Sequence, residues 1–124
     1  MTAEVWGNMA DTSLKIDQQQ LDQVLVMTVA GRIDSSNAAE FTARLTGLLT
    51  AGARAVLVDL GRVLYLTSAG FRALIVATDA ADQRSAKLAL CSISPDVQEL
   101  FEMCGMLDLF QIFGTREEGL SGLH

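Results

Sequence analysis

The sequence predicts an α/β domain in which short strands alternate with amphipathic helices. Three observations carry that expectation. Runs rich in branched apolar residues and of strand length occur at 24–29, 55–60 and 87–91. Between them, apolar residues recur at helical spacing, first as Phe41, Leu45, Leu48 and Leu49, then as Phe71, Leu74, Ile75 and Ala81. Breakers and caps stand at the junctions, among them Gly31, Gly52, Ser94-Pro95 and Gly105.

In chain order, the alternation of Leu14 and Ile16 with Lys15 and Asp17 predicts a short edge strand. The run 24–29 is expected to be a buried strand that Gly31 breaks. Asn37 with Glu40 three residues on has the form of a capping box at the start of a helix that Gly52 stops. The next run, 55–60, is apolar nearly throughout, as a strand covered on both faces should be. Ser68 opens a helix ending near Arg84, and 87–91 is a strand. Ser94 as N-cap and Pro95 at the first turn start a third helix whose apolar face is Val97, Leu100, Phe101 and Cys104. A short strand within 109–113 and a weak helix over 115–120 complete the order ββαβαβαβα. Crossover helices between strands imply a mixed or mostly parallel sheet of about four to five strands. Three to four short helices are expected mainly on one face.

The chain has 124 residues, half of them apolar and one of them proline. That fits one domain over 13–124, with a flexible tail over 1–12. A net charge of −6 disfavours nucleic acid and acidic membrane surfaces as partners. No apolar run is long enough to span a bilayer, and the first residues lack the basic and apolar regions of a secretory signal. Cys91 and Cys104 sit in apolar patterns and read as two buried free thiols, which suits a reducing cytoplasm.

Catalysis is poorly supported. The one histidine is the last residue, His124, so no Ser/His/Asp arrangement is available without a chain end. There is no phosphate-binding glycine loop, Cys/His cluster or calcium-loop pattern. Metal and cofactor are therefore expected to be absent. What stands out is Leu64-Tyr65-Leu66-Thr67-Ser68-Ala69-Gly70-Phe71, where apolar chain gives way to hydroxyls at a helix start. On spacing alone these hydroxyls read first as helix caps. A phosphate acceptor is the alternative, since unpaired amides and the helix dipole would stabilise a phosphate by roughly 0.3 to 2 kcal/mol. Gly70 weakens the helix it sits in, which points to close approach of another backbone. Asp34 reads as a turn residue, or as a charge beside Ser68 if both leave the same sheet edge.

Taken in order, Gly31-Arg32-Ile33-Asp34, the run 56–60, Thr67-Ser68-Ala69-Gly70-Phe71, and Cys91-Ser92-Ile93-Ser94-Pro95 with Leu100-Phe101 and Gly105-Met106-Leu107 resemble the STAS family. Within it they resemble the stand-alone bacterial anti-sigma factor antagonists, over nearly the whole chain. The family's switch pattern is Asp-Ser-Ser/Thr/Ala-Gly-Leu, and its phosphorylated Ser matches Ser68. Thr67 departs from the usual Asp and offers an alternate acceptor. Asp34 matches the family's acidic residue near the switch. The resemblance implies a partner-binding surface of Asp34, Ser36, Thr67, Ser68, Ala69, Gly70, Phe71 and Arg72, with Phe71 equally a candidate for the core. It implies no enzymatic activity and no cofactor. The implied partners are an anti-sigma factor serine kinase with an ATP-binding fold and a PP2C-type phosphatase. Other readings are an adaptor in a signalling or secretion complex, a structural STAS subunit of a transporter, and a nucleotide-hydrolysing enzyme.

Overall fold

Branched and apolar residues dominate the three central strands, and the sheet they build is mixed. The computed structural model describes residues 13–123, so the expectations for 1–12 and for His124 lie outside the described residues. Strands β1 (Lys15–Leu21), β2 (Val24–Ile33), β3 (Ala55–Leu66), β4 (Lys87–Cys91) and β5 (Ile112–Phe113) lie side by side in that order. β1 and β2 form an antiparallel hairpin, turned at Asp22 with φ of +54°, and the remaining pairs are parallel. The helices are α1 (Ala38–Thr50), α2 (Ser68–Gln83), α3 (Pro95–Met103) and α4 (Arg116–Gly122), with a 3-10 turn at Leu107–Leu109. Among the described residues no helix is long and apolar enough to cross a membrane.

One face of the sheet carries the main core. Phe41, Leu45 and Leu49 of α1, Phe71, Leu74 and Ala77 of α2, and Val97 and Phe101 of α3 pack there on Met27, Val58, Leu60 and Leu90. Alternate residues of the same strands, Val24, Val26, Leu57, Ala89 and Cys91, face the other side and are covered with Leu120 and Leu123 at the α4 end of the chain. The period of two along a strand thus serves two cores. Gly119 lets α4 come close: a Cβ there would lie 2.7 Å from Leu57 Cδ1. Arg116 ties the start of α4 to the sheet, donating to Asp59 Oδ2 at 2.9 Å and to Thr28 Oγ1 at 2.9 Å.

Several local expectations are corrected. Gly31 does not end β2, which runs on to Ile33 with Gly31 at φ of +99°. β3 does not stop at Leu60 but continues to Leu66. Register shifts fall between Thr28 and Ala30 and between Gly31 and Arg32, and at each β3 holds one residue more than β2. These bulges explain why Leu60, Val63 and Leu66 are buried at a spacing of three, where a regular strand would bury every second residue. The Asn37–Glu40 capping box does not form. Asn37 is the N-cap but makes no side-chain cap bond, because its amide is spent on the preceding turn. Of the expected strand within 109–113 only Ile112–Phe113 pairs as a strand, and Leu109 ends the 3-10 turn. Cys91 is buried, and burial pushes its thiol up to about 11. Cys104 is exposed, at the end of α3 beyond the helix's buried face. The Ser94 cap is present, its hydroxyl accepting from the Val97 amide at 3.2 Å.

Phe101 is fully buried and edges against both Phe71 (4.8 Å between centroids) and Phe110 (5.7 Å). It joins α3 and the following turn to α2. Phe101→Ala should lower unfolding free energy by about 3–5 kcal/mol in urea titration, the range for emptying a large aromatic site.

Candidate functional site

The candidate site lies where the parallel strands β2 and β3 end together. β4 pairs with β3 only as far as Asp59–Cys91, so the last stretch of β2 and β3 projects beyond it as a pair. Their final rung is Ile33 with Leu66. One residue on, the Thr67 amide donates to the Ile33 carbonyl at 3.0 Å. Asp34 and Ser68 therefore leave the same sheet edge from neighbouring positions, which parallel pairing requires.

Each departing segment is braced. Asp34 begins a turn in which its own Oδ1 accepts from the Ser36 amide at 2.9 Å and the Ser36 hydroxyl at 2.6 Å. Asn37 closes the turn from the other side, accepting from the Asp34 amide at 3.0 Å and donating to the Arg32 carbonyl at 2.9 Å. The Ser36 hydroxyl and amide hold the Asp34 carboxyl below its usual value. Asp34 is thus a fixed anion. It makes no hydrogen bond with Ser68; its carboxyl is turned into its own loop.

On the other segment the two hydroxyls differ. Thr67 is half-buried, is the N-cap of α2, and makes no side-chain cap bond; its hydroxyl lies 3.4 Å from the Ile33 carbonyl, to which it donates. Ser68 is exposed and its hydroxyl has no partner among the described residues. It opens onto a groove of about 400 Å³ between α1 and α2, with Ala38, Ala39 and Thr42 on one wall and Ala69 and Arg72 beside it on the other. The plain cap reading is therefore met by neither hydroxyl.

Gly70 fulfils the suspicion raised by its position. It is buried, and a Cβ there would lie 2.7 Å from Leu66 Cδ2, 3.1 Å from Ile33 Cγ2 and 3.2 Å from the Ile33 carbonyl oxygen. The first turn of α2 rests directly on the end of β2. Phe71 is 3% exposed and belongs to the core, the second of the two readings open to it from the sequence. Arg72 is exposed on the groove wall. Sequence reasoning missed Leu64 and Tyr65 as surface residues. They are 59% and 38% exposed on the projecting end of β3, where the Arg32 guanidinium sits 4.9 Å over the Tyr65 ring. The signal for them was the three-residue spacing of Leu60, Val63 and Leu66, which leaves the residues between outside. Among the described residues no group of three or more His, Cys, Asp or Glu is placed to hold a metal.

Two outcomes test this geometry. Gly70→Ala should cost about 1–3 kcal/mol by overpacking, despite the better helix propensity of alanine. Gly47→Ala, in α1 with nothing within 4 Å of the added carbon, should instead stabilise by up to about 1 kcal/mol. Chemical denaturation of both variants gives the contrast in sign. For the turn, Ser36→Ala should raise the Asp34 carboxyl toward the ordinary aspartate value, read by NMR titration. A lowered native pKa means the stabilising effect is present at neutral pH and fades as pH falls through that native value; Ser36→Ala should weaken this acid-side dependence, the backbone amide of residue 36 still donating.

Comparison with known proteins agrees with the geometry. The STAS domain family model matches residues 15–119. A Bordetella bronchiseptica protein assigned as the anti-sigma factor antagonist BtrV is 34% identical over 104 residues, covering 84% of this chain and 90% of its own. The crystal structure of an anti-sigma factor antagonist from Mycobacterium paratuberculosis superposes with a TM-score of 0.81 at 20% identity, over 90% of this chain and 95% of that one. The Bacillus cell fate determinant SpoIIAA superposes in its phosphorylated form with a TM-score of 0.67 at 15% identity, over 90% of this chain and 100% of that one. With one family spanning the sheet, its helices and the edge that carries Ser68, the chain belongs to the STAS domain family.

Proposed function

We propose that this protein is an anti-sigma factor antagonist, a binding switch without enzymatic activity of its own. In its unmodified state it binds an anti-sigma factor with an ATP-binding serine kinase fold, which frees the sigma factor. The partner then transfers the γ-phosphoryl group of ATP to Ser68 Oγ, releasing ADP and the hydroxyl proton, and the complex separates. Hydrolysis of the phosphoserine by a PP2C-type phosphatase restores the binding form. ATP and its metal belong to the partner, and the cycle runs in the cytoplasm where ATP is available.

The observation that carries this reading is the difference between the two hydroxyls. Ser68 stands exposed and unengaged at the mouth of a groove, whereas the Thr67 hydroxyl is turned back onto Ile33. That difference supports Ser68 over Thr67 as the acceptor. The names of the relatives support the pathway, and the existence of a phosphorylated form of SpoIIAA supports the modification. The contact surface would combine the Asp34–Ser36 turn, the Ser68–Arg72 wall of the groove, and the exposed Leu64 and Tyr65. Gly70 contributes from beneath, by letting α2 sit low against β2. A phosphate adds roughly −1.5 to −2 charge. Introduced beside the fixed anion Asp34 in a desolvated contact, it would repel by several kcal/mol.

Incubation with the cognate kinase, ATP and Mg²⁺, followed by intact mass and site mapping, should give one phosphate on Ser68. The modification should vanish in Ser68→Ala and persist in Thr67→Ala. Phosphorylation should weaken the complex by about a hundredfold or more, corresponding to about 3 kcal/mol, in a titration of partner against each form. A phosphate mapped to Thr67, or none with an active partner kinase, would overturn the proposal.

A further inference from the structure

We propose that Arg72 receives the phosphate carried by phospho-Ser68. Modification then does two things at once: it adds negative charge, and it withdraws a cation from the surface offered to a partner. The inference rests on Ser68 as the phosphoacceptor and goes beyond it by assigning the group that holds the product.

Ser68 and Arg72 are four residues apart on the 16-residue helix α2. That spacing puts two side chains on one face with Cβ atoms roughly 5–6 Å apart. Both line the same groove. Arg72 is exposed and, among the described residues, makes no ion pair, hydrogen bond or ring contact. Other arginines are committed: Arg116 to Asp59, and Arg32 to the Tyr65 ring. No carboxylate competes on the groove's walls. Glu40 and Arg44 of α1 line a different hollow together, and the Asp34 carboxyl is held by Ser36. Across from Arg72 the α1 wall is Ala38, Ala39 and Thr42, small and uncharged. A guanidinium on a flexible stem offers a planar fork of donors that matches two phosphate oxygens.

The test uses the full chain with phosphoserine installed at position 68 during synthesis, so that the readout needs no kinase. Phosphorus NMR follows the second ionisation of the phosphate, ordinarily near a pKa of about 6. A guanidinium in contact favours the dianion and lowers that value. Arg72→Gln should therefore raise it by about 0.5, the scale of an exposed ion pair. Arg72→Lys should retain most of the lowering, and Arg44→Gln should leave it unchanged. The same pKa in the parent and in Arg72→Gln would sink the proposal. An equal rise in Arg44→Gln would also sink it, by showing an effect of net charge alone. Failure of a kinase to modify Ser68 would count against the proposed function and would leave this titration readable.

Discussion

The parallel pairing of β2 with β3, carried past the end of β4 to the rung between Ile33 and Leu66, sets the position of everything at the candidate site. The Ile33 carbonyl is its pivot. It accepts from the Thr67 amide, receives the Thr67 hydroxyl, and lies against the buried face of Gly70. Three consequences come from that one carbonyl. The strand end is closed, the Thr67 hydroxyl is drawn away from the helix start, and α2 begins close enough to β2 that no side chain fits at Gly70. The exposed Ser68 is what remains when Thr67 before it and Gly70 two residues on are committed inward.

Charge at this edge is fixed by local hydrogen bonds rather than by burial. The Asp34 carboxylate is held in place because Ser36 donates to it twice, and Asn37 holds the turn that makes those donations possible. A carboxylate so held is a constant background against which a phosphate would be the variable. Arg72 lies one helical turn from Ser68 along the groove, whose walls do not include Asp34. In the proposed cycle the new phosphate is repelled by Asp34 and attracted by Arg72. That asymmetry would direct it along α2 into the groove, across the surface a partner must cover.

The sequence made the order of elements legible because strand and helix periods are clean over 24–29, 41–49, 71–81 and 97–101. It also made Gly70 legible as a close approach, since a glycine just inside a helix has little other use. What it obscured was the end of each strand that builds the site. Gly31 and Gly61 look like breakers, yet they lie within strands that continue, the first at positive φ and the second on a strand carrying bulges. A period-two reading loses register at each inserted residue, so Leu64 and Tyr65 merged with the core run when two bulges had turned them outward. Cap chemistry was hidden for a similar reason. Asn37 has the right spacing to cap α1, but the strand end competes for its amide, and only tertiary placement shows which donor wins.

The bulged extension also bears on how such a switch can act. Two residues beyond Ser68, Gly70 is packed against Ile33 and Leu66, each at most 2% exposed, with no room left for a side chain. Interiors packed this closely transmit strain and do not yield gradually. A group added to Ser68 has the groove and solvent open to it. The second core is held separately, by the Arg116–Asp59 pair and the close seat of Gly119 on Leu57. In the proposed cycle, modification would therefore change what the edge offers to a partner while both cores stay as they are. Binding free energy can move by several kcal/mol in that way with no second fold to be stabilised.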